Sequence, residues 1–350
     1  MDSPDRTRKV LPFLRKCFGT SVGFFVPTVI HPVTHSQRMT NPRRTELSKE
    51  AAVQCCVGAV SLLSDIVNTV VCVVRPPGHH QGADGVSQGF CYTNNAIHAA
   101  LKHLEQNDAN KVIILDLDLH WGQGTESWVR YHHKKYTGRL LMLDVHSGRA
   151  GEYPPGCSDS KTELPVINVV LPMEQEKYSV SDMVHIMENL LQPMVDKHKP
   201  TLMLLSMGFD THQEDPFGIG LWTLRSSDYW LVAEAIQLAY SGPKVVVLEG
   251  GYHVSSLQES LMFMIRGFSQ EVTHSHGLSA AKNTTVRLVE SALKHVEEID
   301  QHNKKNRPSA RDKTGRFVKS NDKNSVREHF EPLNNCPAIL QKSEIGINFC

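Results

Sequence analysis

The amino-acid sequence predicts a three-layer α/β/α protein with a mostly parallel sheet that is covered by helices on both faces. Six short apolar runs, each followed by polar or glycine-rich residues, are typical of buried parallel strands. Helical segments lie between several of these runs, and this alternation favours a parallel sheet between two helix layers. The runs are VVCVV before Arg75, KVIILDLDL to Leu119, LLMLDV to Val145, INVVL to Leu171, TLMLLSM to Met207 and KVVVLEGG to Gly251.

The clearest helix is predicted over residues 181–197, because apolar side chains recur there at a 3.6-residue spacing and Pro200 follows the end. Two further helices are predicted from Ala51 and from Asp228, and Ser226 or Ser227 is available as the N-cap of the latter. The apolar positions of the first helix are Met183, Ile186, Met187, Leu190, Leu191, Met194 and Val195.

The composition is that of a globular protein. The 350 residues carry 37 Lys and Arg against 37 Asp and Glu, which argues against a surface that is basic throughout and binds nucleic acid. No apolar run reaches the roughly 20 residues that a membrane-spanning helix needs. The first residues lack the apolar region of a signal peptide, so we expect an intracellular protein, in the nucleus, the cytoplasm or both. The eight cysteines are scattered and indicate neither a disulfide framework nor a cysteine-type zinc site.

Three segments are predicted from the composition. Residues 1–45 resemble no regular element, residues 46–300 form one α/β domain, and residues 301–350 form a disordered basic tail. Between Lys304 and Glu328 there are nine basic and three acidic residues with almost no apolar ones, a composition that is typical of disorder. The tail either keeps the protein soluble or serves nuclear import or nucleic-acid binding.

Nearly all reactive side chains follow the predicted strands. In open parallel sheets ligands bind at the carboxyl ends of the strands, because the loops there converge on one edge. We therefore expect a functional site at this edge. Its candidates are His79 and His80 after the first run, Asp116, Asp118 and His120 in the second, Asp144 and His146 in the third, Asp210 and Asp215 after the fifth, and Glu249 and Tyr252 after the sixth.

A metal site is the first interpretation of these residues. Asp116, Asp118 and His120 alternate in LDLDLHWG, so in a strand they would point to one face. Carboxylates inside a core must be paired or bound to a metal, and mixed nitrogen and oxygen ligands suit zinc. Asp210 could supply a third ligand, which leaves the open fourth position of a catalytic zinc. Alternatively, the DxD pattern caps a loop and Asp210 caps the following helix.

The paired histidines and the tyrosine are candidates for proton transfer and for stabilising an oxyanion. His79 and His80 follow a Pro-Pro-Gly turn that would aim both imidazoles at the sheet edge. Gly250 and Gly251 would let the chain turn sharply and present Tyr252 as a hydrogen-bond donor. Taken singly, tandem histidines are more often incidental surface residues, and EGGY is equally a loop that caps a helix.

Together and in this order, the segments RPPGHH, GFCYTNN, DLDLHWGQGT, GFDTHQEDPFG and LEGGY resemble the zinc-dependent histone deacetylase family. The resemblance covers roughly residues 48–265 and is greatest to the class II branch and to the bacterial acetylpolyamine amidohydrolase and acetoin-utilisation relatives. It implies an arginase/deacetylase fold, with a parallel sheet of about eight strands, and makes residues 46–300 a deacetylase-like catalytic domain.

The resemblance also implies a role for each site residue. Asp118, His120 and Asp210 would hold one Zn²⁺ per chain. His80 would be the general base toward a metal-activated water and then the acid for the leaving amine, with His79 as its electrostatic neighbour and Asp116 as the residue that orients it. Tyr252 would polarise the acetyl carbonyl.

Two further sites are implied by the resemblance. Gly89, Phe90 and Tyr153 would line a narrow tunnel for an acetyl-lysine chain, and Phe217 would lie at the tunnel as well. A structural K⁺ is expected near the backbone carbonyls of Asp116, Asp118 and His120, completed by Asp144 and Val145.

The chain departs from the family pattern in three places. Trp121 stands where the family usually has a second histidine, a change that we expect to be tolerated. Gln123 stands where the family has Asp or Asn beside the general base, so we expect a lower pKa for His80. The stretch before Arg75 is short, and the first strand and an acidic rim residue cannot be assigned in it.

The sequence hypothesis is an enzyme that removes an acetyl group from a lysine of a histone or another protein. We expect a protein complex of the co-repressor type as a partner, no membrane, and no nucleic-acid contact outside the basic tail. An acetylpolyamine deacetylase is an alternative, although Phe217 stands where an acidic residue would favour a polyamine. A non-catalytic scaffold is another, although all ligand positions, both histidines and the tyrosine are retained.

Overall fold

The computed structural model describes residues 22–25, 42–174, 176–269 and 278–305. Seven strands form one parallel sheet in the order β1, β2, β7, β6, β3, β4, β5. The strands are β1 (Val22–Phe25), β2 (Thr69–Cys72), β3 (Val112–Asp116), β4 (Leu140–Ser147), β5 (Val166–Leu171), β6 (Leu202–Met207) and β7 (Lys244–Leu248). The α/β class and the parallel sheet predicted from the sequence are therefore confirmed.

Eight α-helices occur among the described residues. They are α1 (Pro42–Leu62), α2 (Asn95–Gln106), α3 (Gln123–His132), α4 (Val180–Ile186), α5 (Gln192–His198), α6 (Asp228–Ala239), α7 (Val254–Ser269) and α8 (Asn283–Lys305). A π-helical turn, Met187–Leu191, joins α4 to α5, so the helix predicted over residues 181–197 is one continuous helical segment. Across the described ranges, no helix is long and apolar enough to cross a bilayer.

Alternate strand residues face two separate cores, which gives the protein three layers. On one face of the sheet, Val112, Ile114 and Met142 pack with apolar residues of α1, α2 and α3. On the other face, Ile113 and Leu143 pack with residues of the helices from α4 to α8. Burial on both faces explains why the strands appear in the sequence as continuous apolar runs.

The described residues hold seven strands, where a sheet of about eight is expected. Two of the expected segment boundaries differ from the described structure. Residues 1–45 were expected to hold no regular element, yet Val22–Phe25 pairs with β2 and α1 begins at Pro42. Residues 301–350 were expected to be a disordered tail, yet α8 continues to Lys305, and the remainder of that segment lies outside the described residues.

The strand that carries Asp116 ends earlier than its sequence run. β3 ends at Asp116, not at Leu119, because the last ladder bond is donated by the Leu117 amide to the Ser206 carbonyl at 2.9 Å. The next amide, Asp118 N, turns to Asp116 Oδ1 at 3.1 Å, and His120 N turns to Asp118 Oδ1 at 3.0 Å. These side-chain bonds turn the backbone out of the ladder and toward the functional edge.

Candidate active site

The candidate metal ligands lie together at the carboxyl edge of β3, β6 and β7. One ligand atom each of Asp118, His120 and Asp210 lies within 4.8 Å of the others, and all three residues are buried. His120 Nδ1 is 3.1 Å from Asp118 Oδ1 and 3.0 Å from Asp210 Oδ2. The sheet therefore brings together one nitrogen and two carboxylate ligands from two segments that are about 90 residues apart in sequence.

Glycines allow the backbone to approach these carboxylates. A Cβ atom on Gly208 would lie 2.3 Å from Asp118 Oδ2, and one on Gly250 would lie 2.4 Å from both Asp118 Oδ2 and Asp210 Oδ2. Gly250 instead donates its amide to Asp118 Oδ2 at 2.7 Å, and Leu119 donates to Asp210 Oδ1 at 3.1 Å. Both carboxylates are thus fixed by backbone donors, and the alternative in which Asp210 caps a helix does not describe these contacts.

The two histidines lie side by side next to this group. Their ring centroids are 3.9 Å apart, and both rings are buried. His79 Nδ1 is 3.2 Å from Asp116 Oδ2, while His80 Nδ1 is 2.7 Å from Gln123 Oε1. The ring of His80 also lies 6.0 Å from the ring of His120. The ring of His80 therefore neighbours that of His120, one of the candidate metal ligands, whereas Asp116 contacts His79.

The pKa values of the histidines diverge. Burial and the positive charge of His79 hold the pKa of His80 well below its ordinary value. The direction agrees with the sequence expectation but the cause differs, because the hydrogen bond with Gln123 acts in the opposite sense. Burial alone would lower the pKa of His120, but hydrogen bonds with Asp118 and Asp210 raise it to about 10. The two carboxylates therefore favour a positive charge between them.

The loop that carries Tyr252 is held beside the ligands. Burial raises the pKa of the Tyr252 phenol, and the charges of Asp210 and Asp118 add to this effect. The phenol therefore stays protonated and can act as a hydrogen-bond donor. The Tyr252 ring contacts Phe217, with centroids 4.8 Å apart, and Phe90, with centroids 6.0 Å apart.

Three partly exposed aromatic rings contact the candidate site residues. Phe90 is 47% exposed, and Tyr153 and Phe217 are each 38% exposed. The Tyr153 ring lies 4.9 Å from the His80 ring, edge to face, and the Phe217 ring lies 5.8 Å from the His120 ring. The residues expected to line a tunnel are therefore grouped around the reactive side chains.

Gly89 and Phe90 form the tip of a two-residue hairpin. Gln88 and Cys91 exchange backbone hydrogen bonds of 3.1 and 2.8 Å, and both tip residues have positive φ, 53° and 66°. This conformation is typical of a type I′ turn, which is strained for a bulky residue such as Phe90. At Gly89 a Cβ atom would lie 2.3 Å from His80 Cδ2 and 2.8 Å from the Tyr153 hydroxyl. The site therefore requires glycine there.

The residues expected near a potassium ion lie across the ends of β3 and β4. Asp116 is opposite Asp144 in the register of the two strands, and Ser147 N donates to the Leu119 carbonyl at 2.9 Å. The Asp144 carboxylate accepts from Gly122 N at 2.9 Å and lies 2.8 Å from His146 Nδ1. The potassium site itself, with Asp118, His120 and Val145, stays a prediction.

A second buried group of ligand-type atoms is formed by His79, Cys91 and Glu249. Glu249 Oε2 accepts the backbone amides of Gly78 and His79 at 2.7 and 3.1 Å, and Oε1 accepts the Ser206 hydroxyl at 3.1 Å. Both carboxylate oxygens are therefore engaged by protein donors. We assign Glu249 the role of holding the histidine loop rather than a metal.

Sequence reasoning missed the roles of Arg75, Asp215 and Glu249. Arg75 and Glu249 directly follow apolar runs, whereas Asp215 lies within the loop after the fifth run. In the structure the partners of all three are mainly backbone atoms of distant loops. A charged residue directly after a buried strand is the signal that could have marked Arg75 and Glu249, but the sequence does not reveal the partners. Trp121, the other departure from the expected pattern, stacks on His146 and donates to Glu126 at 3.0 Å.

The sequence is similar to those of known proteins. Residues 16–268 match the histone deacetylase domain family. Polyamine deacetylase HDAC10 of Homo sapiens is 30% identical over 218 residues, which cover 59% of this chain and 30% of the relative. Histone deacetylase 18 of Arabidopsis thaliana is 31% identical over 205 residues, which cover 55% of this chain and 29% of the relative. The chain thus spans about a third of the length of these curated relatives.

The fold also matches a solved structure. The crystal structure of the HDA15 HD domain aligns with a TM-score of 0.60 at 22% sequence identity, and the alignment covers 75% of this chain and 72% of that chain. At this identity the likeness establishes the fold alone.

Proposed function

Because the chain belongs to the histone deacetylase family, we propose that it hydrolyses the amide bond of acetyl-lysine with a single bound zinc ion. One observation carries the proposal. Three buried ligands, Asp118, His120 and Asp210, lie within 4.8 Å of one another, next to a low-pKa histidine and a protonated tyrosine. These residues would supply metal ligands, a base and an oxyanion donor around one reacting carbonyl group.

The three ligands suit zinc. Two carboxylates and an imidazole are ligands that zinc accepts in catalytic sites, where three protein ligands leave one position open. Asp210 Oδ2 is buried, and apart from its 3.0 Å contact with His120 Nδ1, another candidate ligand, it has no hydrogen-bond partner, which is the state expected of an atom that binds a cation. Zinc held there would act as a Lewis acid toward the amide carbonyl and would increase the acidity of water.

His80 would move the proton. Its Nδ1 donates to the Gln123 oxygen at 2.7 Å, so Nε2 carries the free lone pair. With a pKa well below its ordinary value, the imidazole is neutral near pH 7 and can accept a proton from water as a carbon–oxygen bond forms. The same proton would then pass to the amine nitrogen as the carbon–nitrogen bond breaks, which yields acetate and free lysine.

Tyr252 would donate to the carbonyl oxygen as negative charge develops on it. The protonated phenol is suited to this role because burial disfavours the phenolate. Phe90, Tyr153 and Phe217 would hold the aliphatic lysine chain among aromatic rings. An apolar channel of this kind matches the four methylene groups of lysine and excludes water from the reacting carbonyl.

Two substrate classes compete for this site. Phe217 offers no charge to a polyamine, which favours a peptide lysine as the substrate. The human relative is named a polyamine deacetylase, which supports an acetylated polyamine as the second candidate.

The discriminating experiment uses the purified full chain. Turnover of an acetyl-lysine peptide and of acetylspermidine is measured side by side, with and without a hydroxamate that chelates zinc. The proposal predicts hydroxamate-sensitive turnover with a higher kcat/KM for the peptide. A higher kcat/KM for acetylspermidine would establish the second candidate, whereas no turnover of either substrate by a zinc-loaded protein would contradict both.

A further inference from the structure

The loop of residues 249–253, here called the tyrosine loop, is held at its C-terminal end by hydrogen bonds to a buried carboxylate. Asp215 Oδ2 accepts the backbone amides of Tyr252 at 2.6 Å and of His253 at 3.1 Å, and Asp215 is 1% exposed. Because a buried amide without an acceptor is unfavourable, the carboxylate determines where these two amides can lie.

Two carbonyl groups of the same loop accept hydrogen bonds from a guanidinium group. Arg75 donates from Nη1 to the Glu249 carbonyl and from Nη2 to the Gly251 carbonyl, the latter at 2.7 Å. Its Cζ atom also lies 5.6 Å from the centroid of the Tyr252 ring. The planar, forked donor set of arginine fits two carbonyl oxygens at once, which a lysine ammonium would not do in the same geometry.

The loop needs such contacts because its glycines allow its backbone many conformations. Gly251 has a φ of +108°, a conformation that side-chain-bearing residues rarely adopt. Gly250 donates its amide to Asp118 Oδ2, so the near end of the loop is already tied to a candidate metal ligand. Asp215 and Arg75 then leave little freedom between this anchor and the phenol.

Asp215 also connects the tyrosine loop to Phe217, one of the three partly exposed aromatic residues of the site. Its other oxygen, Oδ1, accepts the Phe217 amide at 3.1 Å. One carboxylate therefore fixes the backbone of both Tyr252 and Phe217, whose rings lie 4.8 Å apart.

We propose that Asp215 and Arg75 are positioning residues that together hold the Tyr252 phenol at the reacting carbonyl. This inference rests on the proposed function, because it assigns both residues to the step in which Tyr252 stabilises an oxyanion. Neither residue touches the reacting atoms. Both act through the backbone of the tyrosine loop, and a displacement of about 1 Å at such a donor lowers turnover by up to about 100-fold.

The test combines Asp215→Asn with Tyr252→Phe. An asparagine keeps the shape, but its side chain has one acceptor oxygen and an NH₂ group that only donates, so it cannot accept hydrogen bonds at both positions as the carboxylate does. We expect kcat to fall by roughly 10- to 100-fold in Asp215→Asn, with KM nearly unchanged. In the Tyr252→Phe background the same substitution should lower kcat by less than about 3-fold, because the group that Asp215 positions is already gone.

Asp182 provides a matched control for loss of a buried carboxylate. It is also 1% exposed, and it accepts the Ser179 amide at 2.9 Å and the Lys282 amide at 2.8 Å, so it joins two segments as Asp215 does. Asp182→Asn should lower the melting temperature but leave kcat unchanged. A fall in kcat that matches that of Asp215→Asn would show a general loss of stability and would overturn the inference.

Arg75→Lys tests the other side of the loop and keeps the inference testable if Asp215→Asn does not fold. It too should lower kcat in the wild-type background and have little effect beside Tyr252→Phe. If Arg75→Lys lowered kcat by the same factor in the Tyr252→Phe background as in the wild-type background, the inference would be overturned while the proposed function stayed intact. Unchanged turnover in Tyr252→Phe itself would instead refute the role that the proposed function gives to the tyrosine.

Discussion

The Nδ1 atom of His80 lies 2.7 Å from the side-chain oxygen of Gln123. An amide oxygen can only accept, so this contact fixes the imidazole tautomer with hydrogen on Nδ1 and a lone pair on Nε2. Unlike a carboxylate, the amide adds no negative charge that would favour the imidazolium. His80, the proposed general base, is therefore oriented without being made more basic by an ion pair.

The first prediction concerns pH. A base whose pKa lies well below its ordinary value stays unprotonated as the pH falls below 6.5, and its activity is lost only when the pH falls through the lowered pKa. Gln123→Glu would place a negative charge beside Nδ1 and stabilise the imidazolium, which raises the pKa of His80 by about 1 to 3 units. We expect the acidic limb of kcat/KM against pH to move upward by that amount. An acidic limb in the same place for both proteins would exclude His80 as the titrating base.

The second prediction concerns the oxyanion donor. Tyr252→Phe removes one hydroxyl group and should lower turnover by about 10²- to 10³-fold, the loss typical of one oxyanion donor. The zinc content should stay at the wild-type level, because Tyr252 is not among the candidate ligands. Turnover and zinc content are measured on the same preparation. Wild-type turnover in the variant would remove Tyr252 from the mechanism.

The third prediction concerns the hairpin tip. In Gly89→Ala the new methyl group would lie 2.3 Å from His80 Cδ2, so the base must move, and we expect most of the activity to be lost. Gly85→Ala is the matched control, since Gly85 has a φ of +78° but no atom within 4 Å of the added methyl group. Both variants should lose about 1–2 kcal/mol of stability from the positive φ. Equal activity of the two variants would show that contact with His80 does not matter.

The fourth prediction concerns stability in acid. His198 is fully buried, and burial and the charge of Lys111 lower its pKa to about 4. Between that value and the ordinary pKa of 6.5, the unfolded chain binds a proton that the folded chain does not, so stability falls as the pH falls.

His198→Leu should remove this pH dependence. From about pH 6.5 to about pH 5 the wild-type protein should lose about 2 kcal/mol more of its unfolding free energy than the variant does. Denaturant unfolding at the two pH values measures the difference. Parallel losses in the two proteins would show that His198 is not the group responsible.

The general position of the site could be predicted from the sequence because the strand ends could be located. Each apolar run ends in reactive residues, and a parallel sheet brings such ends to one edge whatever the order of the strands. The lateral order could not be predicted, because nothing in the apolar run before Arg75 indicates that β2 pairs with β7, about 175 residues later. The four-residue strand Val22–Phe25 was missed because so short a segment has no measurable periodicity.

The details of the site depended on contacts that have no sequence pattern. The sequence marks Asp215 only as one more acidic candidate at the sheet edge, since its partners are backbone amides 37 and 38 residues away. The lowered pKa of His80 was predicted for the wrong reason, because burial and the charge of His79 are properties of the packed site. Residue types could thus be assigned from the sequence, whereas burial and backbone partners required the structure.

The most direct test of the central claim is the zinc content of the purified protein, measured by mass spectrometry beside that of Asp210→Ala. Asp210 is one of three candidate ligands, and its buried Oδ2 atom has no hydrogen-bond partner apart from the contact with His120. We predict about one zinc ion per chain in the wild-type protein and almost none in the variant. A wild-type protein without zinc, or a variant that keeps the full amount, would contradict the ligand set on which the proposed reaction depends.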